Sequence, residues 1–535
     1  MADFGTLNWT ILVVYVLVNL LLGYILSKKV DTAEDFYLGR KTTPWWAIGI
    51  SVVATYVSAM TFLGAPAWAY KEGLSVIAIH MNYPIVIFLV IVFFLPFFFN
   101  SGVVSIYDYQ EKRFGAASRV VISGVFLVTQ GLSSAAVLYG TSLVISFITG
   151  IGVIPCILIV TVIALIYTAM GGITAVIWTD VVQAAILLVG GGIIMYALVT
   201  QMPLSLTETL SELKAAGKIN PIKGALDLSK TTTIWAGIIA MTLYHVTVYG
   251  ANQMMVQRTL AAKNIGDAKK SFLMLGFVAF FIYFLFILLG VLFYHYYGGK
   301  EFENDNMIIL EFANEYGLPG LMGIIAAAVV AASMSSLDSA FNSMSTITTV
   351  DFYEKYFKTG QSPEHYLKAT RWFTVLWAAL IVIPAIAYSQ STGSILELLS
   401  KVGSYFVGAK LSMYGLGFFS KHTSEKGLLV GVAAGMIGVW IIAALTDISW
   451  PWYCLIGAIV NIGISIPASI LLDGYQKEWS PYSIHGQKKV FQAEHLPEKD
   501  NGWYLVPGKV DRPAYYLLGF FILSFLFLLL FESLV

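Results

Sequence analysis

The sequence predicts an all-α polytopic membrane protein with about fourteen transmembrane helices. Three observations carry that prediction. Hydrophobic residues make up 58% of the 535 positions and charged residues 12%, against roughly 25% charged in soluble domains. The apolar residues fall in runs of about 20, long enough to cross a ~30 Å hydrocarbon core as a helix. Lys and Arg concentrate in every second connecting loop, as the positive-inside rule requires of a chain that crosses repeatedly.

Runs and breakers place the spans at 8–28, 44–69, 74–99, 118–149, 151–170, 177–200, 233–256, 269–297, 318–350, 368–389, 395–419, 426–446, 450–473 and 513–533. Loops 28–43, 100–119, 257–270, 351–371, 420–426 and 473–512 hold 23 of the 31 basic residues, and the alternate loops hold 6. An even number of crossings with that asymmetry puts both termini outside. Lys401 and Lys410 fall within the eleventh span. The opening MADFGTLN lacks the basic n-region of a cleaved signal, so the first helix is expected to be retained. Cys156 and Cys454 sit in or beside apolar runs and make neither a disulfide framework nor a metal site. Net charge is zero, which gives no handle for nucleic acid.

The second span carries Ser51, Thr55, Ser58 and Thr61 ahead of Gly64-Ala65-Pro66, and the seventh carries His245, Tyr249, Gly250, Asn252 and Gln253. Polar and small residues inside an apolar segment either back-bond to their own helix or mark an unwound stretch. Hydrocarbon does not satisfy freed backbone groups, so an unwound stretch must line a cavity. Two interrupted segments five helices apart, at matching places in two halves, point to a transporter site. The expected organisation is an extra helix and first loop (1–43), one five-helix repeat (44–200), an external loop (201–232) and a second five-helix repeat (233–419). Two added helices (420–473), a cytoplasmic linker (474–512) and a last helix (513–535) complete it.

On the ninth span Ala332, Ser335, Ser336 and Ser339 share one helical face. Hydroxyl and carbonyl oxygens suit a small hard cation, and small residues equally suit close helix packing. The stretch SMSSLDSAFNSMSTITTVDFYEKY (333–356) resembles the sodium-site helix of the sodium:solute symporter family. So do YTAMGGITAVIWTDVVQ (167–183), NQMMVQRTLAAKN (252–264) and DFYLGRKTTPWWAIGIS (35–51), in order over about residues 5–475. The resemblance implies an inverted five-plus-five repeat of the leucine-transporter type and Na+ as coupling ion. It implies a principal Na+ site of the Ala54, Val57 and Ala332 carbonyls with the Ser335 and Ser336 hydroxyls. Asp180 matches an acidic position near the inner sodium route, and Ser339 a hydroxyl of a second cation site. Asp338 departs from the Ser found there in relatives, and an intramembrane carboxylate invites a functional reading. Asp180, Asp338 and Ser339 are therefore the expected ligands of a second Na+.

Positions matching family substrate contacts are Tyr56, Ser58, Thr61, His80, Asn252 and Gln253. Two substrate signatures are not intact. His80 and Ala279 replace a carboxylate and a lysine of bacterial sugar symporters, and Ser133 replaces an arginine of the sialic acid branch. A neutral sugar is the first reading and a sialic acid or other carboxylate the second, with Lys401 or Lys410 available for an anion. An enzyme is not expected: the seven histidines are scattered, and neither an H-E-x-x-H nor a P-loop is present. A channel or solute sensor on the same scaffold is the other rival class. The expected partners are Na+, a small-molecule substrate and the lipid of a bacterial inner membrane.

Overall fold

The computed structural model describes residues 4–28, 30–57, 60–101, 103, 105–316, 318–390, 395–476 and 478–535. The chain is mostly helical; among the described residues the strands are a two-residue pair, Lys499–Asp500 with Trp503–Tyr504. Among the described residues ten segments are helical, long and apolar enough to cross a membrane, from Thr6–Leu26 to Arg512–Leu534. Trp45–Thr55, Val153–Ile166 and Ala236–Gly250 are apolar helices too short to be counted with them.

Two of the shorter pieces, Trp45–Thr55 and Ala236–Gly250, lie where the helical path is interrupted, whereas the helix that begins at Val153 runs on to Gly172. Helix Trp45–Tyr56 stops at Val57 (φ −85°, ψ 77°) and helix resumes at Met60. Helix Thr242–Gly250 stops at Ala251 (φ −123°, ψ 36°), and Gln253–Leu260 follows. A third interruption differs from the sequence reading, which expects a loop over 171–176. Here Gly172 alone (φ 56°, ψ −156°) separates the fifth span from the sixth. A side chain there would strain the backbone and bring its Cβ to 2.7 Å from the Phe36 carbonyl oxygen.

Burial ranks the helices. The apolar window of Leu321–Phe357 is 83% buried and that of Arg512–Leu534 is 17%, so the ninth span is the axis of the bundle and the last helix lies at its rim. Helix Leu321–Ile347 packs on Ala116–Thr149, on the segment Val153–Gln201, on Thr6–Ser27, on Pro363–Tyr388 and on Trp45–Tyr56, so it is surrounded by neighbouring helices. At the other end of the chain Glu425–Leu445 packs on Pro451–Asp473. Gly427, Gly431 and Gly435 face Ser469, Asn461 and Gly457; a Cβ on Gly431 would lie 2.6 Å from the Asn461 carbonyl oxygen. Small residues at every fourth position allow this approach, since helices in lipid associate by packing and not by expelling water.

The polar segments are ordered by local chemistry. Helix Leu206–Ala215 opens on a capping box between Ser205 and Glu208. The linker before the last helix folds back on the bundle. Lys269 donates to Asp511 at 2.5 Å, and the Asn100 amide donates to the Leu505 carbonyl at 2.7 Å.

Gly237 tests the close packing. Any Cβ there overlaps the Ala78 carbonyl, which is backbone and cannot rotate away. Gly237→Ala is expected to cost about 1–3 kcal/mol through overpacking and to lower the thermal midpoint in detergent. Gly463→Ala, which meets nothing within 4 Å, should leave it unchanged; equal midpoints for the two variants would exclude the contact.

Candidate functional site

A cavity of about 210 Å³ lies between the end of the first half of the second span and the seventh-span break. Thr55 reaches it from the second span, and Ala251, Asn252 and Met254 from the seventh. Helix Ala116–Thr149 contributes Gln130, Ser133 and Ser134; Leu321–Ile347 contributes Ser336, and Ile395–Phe419 contributes Phe406, Val407 and Lys410. Asn252 shapes the seventh-span break as well as lining it. Its side-chain oxygen accepts the Met254 N–H at 3.0 Å, capping the second half-helix as Asn does at an N-terminus.

The expected Na+ ligands lie beside the second-span break. Ser336 Oγ donates to the Thr55 carbonyl at 3.1 Å and stands 3.5 Å from the Ala332 carbonyl. Ala54, Val57, Ala332 and Ser335 border one small void of about 60 Å³ behind it. Thr55 itself back-bonds to the Ser51 carbonyl at 2.7 Å, the satisfied-hydroxyl arrangement. Ser51 does otherwise: its hydroxyl donates across to Asp180.

Asp180 is the centre of a fully buried network. Arg258 Nη2 donates to Asp180 Oδ2 at 2.8 Å and to Ser339 Oγ at 2.6 Å, and Arg258 Nε donates to Ser51 Oγ at 2.7 Å. Ser335 Oγ donates to the other Asp180 oxygen. The second, sixth, seventh and ninth spans are thus tied at one point. Arg258 therefore stands on two of the three groups expected to hold a second cation. The third, Asp338, accepts the Ser339 N–H at 2.7 Å and lies 3.4 Å from Thr179 Oγ1.

Of the expected substrate contacts, Asn252 lines the cavity and three others lie off it. His80 stacks on Tyr283 at 3.7 Å between ring centres, beside a second stacked pair, Tyr83 and His245, at 4.8 Å. Thr61 hydrogen-bonds Tyr283. Gln253 Oε1 accepts the Ile106 N–H at 2.9 Å, satisfying one of the first donors of helix Ile106–Arg113 that has no partner within its own helix. Ser58 and the side chains of Tyr56 and Lys401 lie outside the described residues.

Sequence reasoning missed Arg258, although NQMMVQRTLAAKN contains it; only the fold brings it to Asp180. It missed Arg119 likewise. That guanidinium donates to Asp351 at 2.6 Å, to Asp108 at 2.8 Å and to Glu111 at 2.9 Å. It joins helix Ile106–Arg113 to the end of the ninth span.

Residues 36–435 match the sequence pattern of the sodium:solute symporter family. The chain belongs to that family. It is an integral membrane transporter, not an enzyme, and its coupling ion is Na+. It is 29% identical to the sodium/sialic acid symporter of Proteus mirabilis over 464 residues, 85% of this chain and 93% of that one. It is 28% identical to the sodium/glucose cotransporter of Vibrio parahaemolyticus over 439 residues, 76% and 78% of the two chains. A solved Na+-coupled sialic acid symporter, substrate-bound and outward-open, superposes with a TM-score of 0.83 at 28% identity, covering 89% of this chain and all of that one. The nucleobase-cation symporter Mhp1 shares the fold at a TM-score of 0.54 and 13% identity.

The symporter's Asp180–Arg258 pair yields a stability test. Arg258→Met leaves a buried carboxylate without its counter-charge and is expected to cost about 3–5 kcal/mol. Arg258→Met with Asp180→Leu should recover much of that loss. Thermal midpoints of the wild type, both single variants and the double variant decide; strictly additive losses would rule out a coupled pair.

Proposed function

We propose that this symporter carries a small polar organic solute inward with Na+ by alternating access, through fourteen transmembrane helices with both termini outside. The ten long segments, the three shorter apolar helices and Ile395–Phe419 are compatible with that number. Residues 44–200 and 233–419 form the two inverted repeats, and a bacterial inner membrane is the proposed location. The observation that carries the reading is one cavity beside Ser336 lined by Thr55, two residues before the break at Val57, and by Ala251 and Asn252 at the other break, with Val57 itself bordering the smaller void behind Ser336. Unwound backbone there offers carbonyl oxygens to a cation and polar groups to a solute.

The Na+ is held by the carbonyls of Ala54, Val57 and Ala332 and the hydroxyls of Ser335 and Ser336. Ser335 must then turn an oxygen lone pair to the ion while its proton stays on Asp180, which one hydroxyl can do. A second Na+ at Asp180, Asp338 and Ser339 would share that pocket with the Arg258 guanidinium, so it must sit on the Asp338 side or displace Arg258. For the substrate, the neutral sugar favoured by the sequence is one reading. An organic anion gains from the cavity lining, which among the described residues holds Lys410 and no carboxylate.

Uptake into proteoliposomes should follow an inward Na+ gradient and not a K+ gradient, with counterflow after preloading; counterflow without uphill accumulation would mark a channel. By linkage, Na+ and substrate must raise each other's affinity by the same factor. Ser336→Ala should weaken both while the protein stays folded; calorimetric affinities equal in Na+ and in choline would refute the coupling. A second Na+ site should show as a Hill coefficient above one for Na+, falling towards one in Asp338→Ala. A wild-type coefficient of one would leave Asp338 with a structural role.

A further inference from the structure

We propose that Lys410 is the counter-charge for the substrate and that the substrate is therefore a small polar solute bearing one carboxylate. This rests on the symporter reading above and names the substrate class of the same cavity.

Lys410 lies on Ile395–Phe419, lines the cavity and is 8% exposed. Other deeply buried cations of the chain hold a carboxylate. Arg258 pairs with Asp180 at 2.8 Å, Arg119 with Asp351 at 2.6 Å, and Lys269 with Asp511 at 2.5 Å. Among the described residues Lys410 has neither a carboxylate nor a hydrogen-bond acceptor; its neighbour is the Phe126 ring, 5.6 Å away. A cation–π contact is weaker than the desolvation of a buried ammonium. The helix end at Phe419 is roughly 14 Å along the axis at 1.5 Å per residue, farther than a lysine side chain extends, so snorkelling does not relieve the charge.

Among the described residues the cavity therefore carries one uncompensated positive charge, and Gln130, Ser133, Ser134 and Asn252 in its lining are neutral. Binding Na+ beside Ser336 adds a second positive charge to the same enclosure. A neutral solute leaves both charges without compensation. A carboxylate between them is attracted to each, so Na+ and an anion bind cooperatively where Na+ and a neutral solute would not. One ammonium matches one negative charge. The hydrogen-bonding lining and a volume of about 210 Å³ fit a polar organic body behind that charge and exceed what a halide fills.

Two measurements on the full chain test this. Without any ligand, Lys410→Met removes an unpaired buried charge and should hold or raise the thermal midpoint; a lower midpoint would assign Lys410 to the fold and overturn the proposal. With ligand, calorimetry in NaCl compares three acids with neutral counterparts: N-acetylneuraminate with N-acetylmannosamine, glucuronate with glucose, and lactate with lactamide. The acid of at least one pair should bind and its neutral counterpart should not. Lys410→Met should weaken that acid by about 30-fold or more, and Lys410→Arg should retain it. Na+-dependent binding of a neutral member, unchanged in Lys410→Met, would overturn the anion reading and leave the symporter reading intact. Acid binding that needs Lys410 but is indifferent to Na+ would uphold Lys410 and overturn the coupling.

Discussion

A peptide group in hydrocarbon finds hydrogen-bond partners only in its own helix or in other protein, and two of the interruptions among the described residues, at Val57 and at Ala251, lie inside the second and seventh spans. Everything central to the structure follows from sheltering those interruptions. Val57, at the second-span break, borders a small void with Ala332 and Ser335 of Leu321–Ile347, the most buried of the long spans, and Ala251, at the seventh-span break, lines the larger cavity with Ser336 of the same helix. Two devices close the broken ends. Asn252 caps the new helix start with its own side chain, and Ser336 donates to the Thr55 carbonyl just before the other break. The peripheral helices then insulate this arrangement from lipid, which is why burial falls so steeply towards Arg512–Leu534.

The buried charges divide by what they do. Arg258 and Asp180 neutralise one another and, through Ser51, Ser335 and Ser339, hold four spans together. Arg119 and Asp351 do the same nearer the loops. Such pairs contribute little net stability, because desolvation offsets attraction; their effect is to disfavour arrangements in which one partner is left alone. Opening a path through this part of the bundle must part these groups in concert or move them as a block.

Much of the architecture was legible in the sequence because membrane helices announce themselves by length and apolarity. The breaks were legible too, since Ser, Thr, Asn, Gln and Gly are conspicuous in such runs. Side-chain direction was not. Gln253 and Asn252 are adjacent and looked alike, yet the break turns one to the cavity and the other to the start of helix Ile106–Arg113. His80 sits mid-span as a ligand would, but its ring is stacked on Tyr283, 203 positions along the chain. The Asp180–Arg258 pair is hidden for the same reason: 78 residues separate its members, and no local pattern links them. Gly172 misled in the opposite direction, because a single left-handed residue does the work for which a loop was expected.

The glycine seam between Glu425–Leu445 and Pro451–Asp473 has a mechanical consequence. Gly408, on Ile395–Phe419, lies against the same surface: a Cβ there would be 2.7 Å from the Cys454 carbonyl oxygen and 3.1 Å from Gly457 Cα. Contacts that close, between backbones, leave no slack for sliding. Three helices are thereby welded into a single stiff plate, with Lys410 half a turn along from the weld. A force applied at that ammonium would act on the three helices together.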